Sequence, residues 1–136
     1  MAAVNLYFTY QNRIRAEKLN KIDRVKSLIT DLYELSISAI QSQGAEALAL
    51  TKELTRKYKR LHALCVDEME LETLLAHHEL TDKLSDFECF CIADDLAFLD
   101  FDECEGNGRF EKMDISRKNL IRGINATAKK LWNIKV

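Results

Sequence analysis

The chain has 136 residues, of which 47% are hydrophobic and 31% are charged, and its formal net charge is −2. These values are typical of one ordinary globular domain over residues 1–136, and they argue against global disorder. No apolar run approaches the roughly 18 residues that a membrane helix requires, and the first residues lack the basic and apolar regions of a signal peptide. We therefore expect a cytoplasmic protein without membrane contact, whose four cysteines are reduced.

The charges are sorted by position along the chain. Residues 1–62 contain 11 Lys and Arg against 6 Asp and Glu, which gives a net charge of +5. Residues 63–114 contain 3 Lys and Arg against 16 Asp and Glu, a net charge of −13, and residues 115–136 contain 6 Lys and Arg with no acid. Such an asymmetry indicates contact with a polyanion or with a partner that is steered by charge.

Residues 11–42 are predicted to form the first long helix. The chain has no proline and only 4 glycines, so few residues interrupt its helices. Apolar or small residues recur at the 3-4 spacing that gives a helix one buried stripe. The stripe consists of Ile22, Val25, Ile29, Leu32 and Ser36.

Gly44 marks the predicted joint between this helix and a second one, which starts near Ala45 and runs toward Leu80. Glycine commonly supplies the left-handed residue at the end of a helix. Because the joint between the two long helices is short, we expect them to form an antiparallel helical hairpin.

Shorter helices are expected to complete a mostly all-α bundle. Thr81 is a candidate cap for a short helix that reaches Phe90 or beyond, and a last helix is expected from Arg117 to Lys130. The region 97–113 between them leaves two expectations open. Its roughly alternating segments flank an Asn-Gly pair, which favours a small β-hairpin, and a loop between helices is the alternative.

The acidic segment supports the leading functional hypothesis, a non-catalytic binding protein that acts through protein–protein contacts. A dense run of carboxylates presents a surface to a basic partner. Small helical subunits, inhibitors and immunity proteins often have this size and charge, which is an analogy at the level of the fold. The residues expected to face the partner are Asp94, Asp95, Asp100, Asp102, Glu103 and Glu105.

The basic segments support an alternative, a sequence-nonspecific nucleic-acid-binding subunit of a nucleoprotein complex. Basic helix faces that converge would neutralise phosphates, and nearby tyrosines would stack on bases. The competing interpretation is that these residues are solvated or pair with the chain's own acids. The candidate residues are Arg13, Arg15, Lys18, Lys21, Arg24, Lys52, Arg56, Lys57, Lys59, Arg60, Arg117, Lys118 and Arg122.

The stretch from Arg56 to His62 contains an arginine followed six residues later by a histidine, within a predicted helix. This spacing resembles the short signature of the helical HEPN ribonucleases. The resemblance implies a metal-independent ribonuclease in which Arg56 stabilises a phosphate and His62 handles the proton. A spacing of six places the two side chains on different faces of a helix, because helical neighbours lie three or four residues apart.

No nucleotide-binding, zinc-protease or serine-hydrolase motif occurs in the chain, so we predict neither a cofactor nor a metal site. The two long helices have more apolar surface along their stripes than two short helices can cover. We therefore expect a homo-oligomer or a subunit of a larger complex.

Overall fold

The computed structural model describes residues 2–64, 78–93 and 95–132. Its helices are α1 (Ala2–Gln41), α2 (Gly44–Ala63), α3 (His78–Cys91), a turn of 3₁₀ helix (Leu96–Phe98), α4 (Phe101–Gly106) and α5 (Arg109–Trp132). No strand occurs among these described residues. The predicted all-α bundle is therefore confirmed.

α1 and α2 form the predicted antiparallel hairpin. Ser42 closes the last turn of α1 by donating its N–H to the Ser38 carbonyl at 3.0 Å. Gln43 is extended, and Gly44 has φ 63°, a left-handed conformation that glycine adopts without a steric penalty. The short joint therefore turns the chain back, and α2 packs along α1.

The later helix boundaries differ from the prediction. The continuation of the second helix toward Leu80 falls mostly on residues 65–77, which lie outside the described residues. α3 begins at His78, so Thr81 lies inside this helix and does not cap it. α5 begins at Arg109, eight residues before the predicted Arg117.

The small β-hairpin predicted over residues 97–113 does not form. Residues 101–106 are helical, Asn107 and Gly108 form a turn, and Gly108 has φ 77°. The Asn107 side chain accepts the Arg109 N–H at 3.0 Å, so the Asn-Gly pair caps α5. The physical reason is the burial pattern. Phe110 and Met113 both pack against the core although they are three residues apart, and a strand would place them on opposite faces.

Helix α1 is longer than predicted because it begins at Ala2. Every side chain from Ala2 to Arg13 is exposed, so packing within this chain does not dictate helix there. The segment contains no proline and no glycine, and nothing interrupts the backbone hydrogen bonds that propagate from the packed part of α1. Tyr7, Tyr10 and Ile14 continue the 3-4 spacing here, but the neighbouring apolar residues obscure that period in the sequence.

One apolar core joins α1 to the other helices. The predicted stripe of α1 is confirmed, since its residues are fully buried. Burial of each large apolar side chain contributes about 1.5–3 kcal/mol. The larger buried residues of this core are Ile22, Val25, Ile29, Leu32, Leu54, Leu61, Phe87, Leu96, Met113, Leu120 and Ile124.

Candidate protein-binding surface

Five of the six predicted acidic residues lie in, or directly before, the 3₁₀ turn and the short helix that precede α5. Asp95 precedes the 3₁₀ turn, Asp100 caps α4, and α4 carries the remaining three carboxylates. All five side chains are exposed. The sixth, Asp94, lies outside the described residues. We call this set the acidic surface: Asp95, Asp100, Asp102, Glu103 and Glu105.

Local hydrogen bonding and charge explain why the acidic surface is helical. The Asp100 side chain accepts the Asp102 N–H at 3.3 Å and so caps the first turn of α4. Asp102 and Glu103 lie in that same turn, where the helix dipole favours negative charge. Cys104 is buried and fastens the helix to the core. The acidic residues therefore project outward from a small but anchored element.

The carboxylates of the acidic surface form no ion pair within the described part of the chain. The ion pairs found there join helical neighbours three or four residues apart and use Glu17, Glu53 and Asp114 as their acids. Residues 95–108 contain no Lys or Arg. The predicted alternative, in which the acids neutralise the chain's own basic segments, is therefore not what this surface does among the described residues.

Exposed aromatic rings interrupt the acidic surface. Phe98 is 80% exposed and Phe101 is 37% exposed. The Phe101 ring packs against Phe110, with 5.1 Å between the ring centroids. Large apolar side chains in water are unfavourable, so two of them inside a charged run indicate a contact surface.

A groove of about 470 Å³ opens beside Phe101. One wall is made by Phe101 and Phe110, and the other by the last three turns of α1. Its size lies in the range of ordinary binding pockets, and most of its lining is apolar. We call this feature the groove. Its lining residues are Tyr33, Glu34, Ile37, Ser38, Gln41, Phe101 and Phe110.

A charged network holds the Tyr33 wall of the groove. The Arg117 guanidinium lies over the Tyr33 ring at 4.6 Å and donates to Asp114 at 2.6 Å, while Lys118 lies 2.9 Å from the other Asp114 oxygen. Hydrogen bonds from Arg117 and Lys118 lower the pKa of Asp114. Burial, followed by the charge of Asp114, raises the pKa of Tyr33. Arg117 and Lys118 therefore support the groove through Asp114.

Small polar side chains lie buried behind the same wall. The Ser36 hydroxyl donates to the Tyr33 carbonyl at 2.6 Å, and the Ser116 hydroxyl donates to the Met113 carbonyl at 2.8 Å. The Cys91 sulfur lies 3.8 Å from the Ser116 hydroxyl. Burial raises the pKa of the Cys91 thiol to about 11, so it stays protonated and packs as a small core side chain.

The other predicted basic residues are spread over α1, α2 and α5. Arg13, Arg56 and Lys57 each have an acidic helical neighbour, Glu17 or Glu53, at 3.4–3.9 Å. Lys18 and Lys21 are half-buried, and each has an interaction partner. The exposed remainder consists of Arg15, Arg24, Lys52, Lys59, Arg60 and Arg122.

The structure does not bring Arg56 and His62 together. Both residues are exposed on the continuous helix α2. Six residues advance a helix by about 9 Å and rotate it by about 240°, so the two side chains leave the helix on different sides.

Comparison with known proteins gives no match: no family model, no curated protein and no solved structure matches this chain. The resemblance of residues 56–62 to the HEPN ribonucleases therefore stays a prediction. None of the helices in the described part of the chain is long and apolar enough to cross a membrane.

Proposed function

We propose that this protein is a non-catalytic binding protein, and that it holds a basic protein partner on the acidic surface. The observation that carries the proposal is the state of its five carboxylates, which are exposed and unpaired among the described residues, together with Phe98, which is 80% exposed between Asp95 and Asp100 in the sequence. Charge of one sign raises the rate of encounter with a partner of the opposite sign. Phe98 then supplies a desolvated aromatic anchor of the kind that dominates binding energy.

This combination suits a small helical subunit, or an inhibitor or immunity-type protein. Such interfaces place an apolar centre inside a polar rim, and aromatic residues are enriched in that centre. Phe98 would form the centre, while Asp95 and Asp100 would lie on the rim. Because α4 is fastened to the core through Cys104, the surface is prepared before the partner arrives, which lowers the entropic cost of binding.

The test compares partner capture by the wild-type chain and by a charge-reversed variant, Asp95→Lys/Glu103→Lys/Glu105→Lys. These residues are exposed, so we expect the fold to survive, which circular dichroism checks. Glu46→Lys/Asp82→Lys/Asp86→Lys is the matched control, because it reverses three exposed acids on α2 and α3, outside the acidic surface. Proteins captured from cell extract are identified by mass spectrometry, purified and measured again by calorimetry. A purified basic partner that binds both the wild type and the triple variant equally would refute the proposal.

A second candidate function, nonspecific nucleic-acid binding, is favoured by one face of α2. Lys52, Lys59 and Arg60 lie on the side of the helix opposite the buried residues Leu54 and Leu61. Fluorescence anisotropy with a short RNA and a duplex DNA, at about 50 and 200 mM salt, tests this candidate. It predicts binding that weakens steeply with salt in the wild type and is reduced in Lys52→Ala/Lys59→Ala. An affinity that does not change with salt concentration would contradict nucleic-acid binding by this face.

A further inference from the structure

The first turns of α1 expose five large apolar side chains to water. Val4, Leu6, Tyr7, Phe8 and Tyr10 are each 54–71% exposed. The segment also contains Arg13 and Arg15 and no acid. We call residues 2–15 the N-terminal arm. Contiguous exposed apolar surface of this kind marks an interaction site.

The groove at the far end of α1 has the opposite charge. Its walls are mostly apolar, and Glu34 lies in its lining with Asp31 one turn earlier on the same helix. Residues 27–51 contain no Lys or Arg. The acidic residues of α4 follow directly after Phe101, which forms the other wall. The groove is therefore apolar inside and acidic along its α1 edge, and Arg117 and Lys118 beside Tyr33 are paired with Asp114. The arm, in contrast, is apolar and basic.

The arm cannot reach the groove of its own chain. Both belong to one continuous helix, Ala2–Gln41. Thirty residues separate Tyr7 from Ile37, which corresponds to about 45 Å along the axis. Any arm that fills a groove must therefore come from another molecule.

We propose that two copies of this chain associate antiparallel along α1, so that the arm of each copy fills the groove of the other. If the two-fold axis passes near Ile22, Leu6 of one copy lies level with Ser38 in the groove of the second. Arg13 then lies level with Asp31 of the second copy. The two-fold rotation repeats this contact at the other end of α1. The assembly therefore closes as a dimer in which both grooves are filled.

The surface ion pair of Arg13 does not compete with this contact. Arg13 and Glu17 lie 3.4 Å apart, with side chains that are 80% and 59% exposed. Exposed pairs of this kind contribute little, so Arg13 is free to turn toward a second copy. Dimer formation is separate from the proposed capture of a basic protein, since it depends on Asp31 and Glu34 of α1 and on the arm.

A charge swap tests the inference. Arg13→Glu/Arg15→Glu makes the arm acidic, and Asp31→Lys/Glu34→Lys makes the groove edge basic. All four residues are exposed, so both variants should fold. The oligomeric mass is measured by light scattering during size-exclusion chromatography at low ionic strength.

We expect the wild type to have twice the chain mass of 15.7 kDa. Each double variant should have the mass of one chain, because its arm and groove repel in any symmetric pair. An equimolar mixture of the two variants should regain twice the chain mass, since both contacts are complementary again in the mixed dimer. Lys52→Glu/Lys59→Glu, which makes the same change of charge on α2, should remain dimeric.

A wild-type chain that has the mass of one chain at every concentration overturns the inference, and so does a mixture that stays monomeric while the wild type is dimeric. Neither result bears on the proposed function, because partner capture is measured with variants of Asp95, Glu103 and Glu105. Those residues are left unchanged in the swap.

Discussion

The two ends of α1 belong to one helix, but they are helical for different reasons. Between Ile22 and Ile40 the helix buries an apolar stripe against α2 and α5, and its side chains there reach 0% exposure. Between Ala2 and Arg13 every side chain is exposed. The first part is helical because burial selects one face, and the second because nothing interrupts the helix. Helices that lack packing are marginal in water, so we expect a partner that covers the arm to stabilise it.

The largest expected effect is the difference in the free energy of unfolding between substitutions at the two ends of α1. Leu32→Ala removes a fully buried side chain and should lower the free energy of unfolding by about 2–5 kcal/mol. Leu6→Ala removes a side chain that is 71% exposed and should change it by less than about 0.5 kcal/mol. Urea unfolding measures both, in the Arg13→Glu/Arg15→Glu background to exclude dimer effects. Equal losses at the two positions would contradict the comparison.

The same contrast between covered and uncovered faces occurs within α3. Cys89 is exposed and Cys91 is buried with a thiol pKa raised to about 11. Relative to an ordinary thiol, the pKa alone lowers the reactive thiolate of Cys91 by about a hundredfold near neutral pH. Alkylation followed by peptide mass spectrometry should therefore modify Cys89 first, and Cys91 only on unfolding. Equal rates at the two positions would show that α3 does not pack as described.

A smaller effect is expected at the charged network beside the groove. Asp114→Asn removes the negative charge and one of the two oxygens that accept from Arg117 and Lys118, and it should cost about 1 kcal/mol at neutral pH. Because the folded state lowers the pKa of Asp114, its contribution is complete above the unfolded pKa and is lost as the pH falls through the folded pKa. Urea unfolding at neutral and strongly acidic pH should show the difference between wild type and variant shrinking in acid. If the difference in the free energy of unfolding between wild type and variant persists or grows in acid, the charge of the Asp114 carboxylate is not its source.

The smallest effect is expected at the acidic surface. Asp100→Ala removes the cap of α4 and should cost about 1 kcal/mol or less, while Asp100→Asn, which keeps the capping oxygen, should cost less still. Thermal unfolding of the two variants provides the measurement. If both variants lose the same amount, charge repulsion or packing, and not the cap, governs this turn.

The fold was predictable where one physical signal acted alone. The stripe from Ile22 to Leu32 follows the helical period, and Gly44 occupies the left-handed position at the joint, so the hairpin follows from local rules. The prediction failed at residues 97–113, where Asn107 and Gly108 suit either a strand turn or a helix cap. Packing of Phe110 and Met113 against the core decided in favour of helix, and no local pattern reports tertiary burial.

The candidate surface was predictable in part for the same reason. The acidic residues are evident in the sequence, and their exposure follows from their charge. The groove was missed because Tyr33 and Phe110 are 77 residues apart and meet only when α5 packs on α1. The sequence contains one signal for the aromatic part of this surface, since Phe98 and Phe101 are large aromatic residues within an acidic run.

Hydrogen exchange of the arm amides tests most directly whether the exposed end of α1 is a contact surface. We predict that residues 4–13 exchange slowly in the wild type at high protein concentration and faster on dilution. In the Arg13→Glu/Arg15→Glu variant they should exchange fast at every concentration. The amides of residues 25–32 should stay protected in both proteins. Arm amides that exchange at one rate regardless of concentration and substitution would contradict a contact made by the arm.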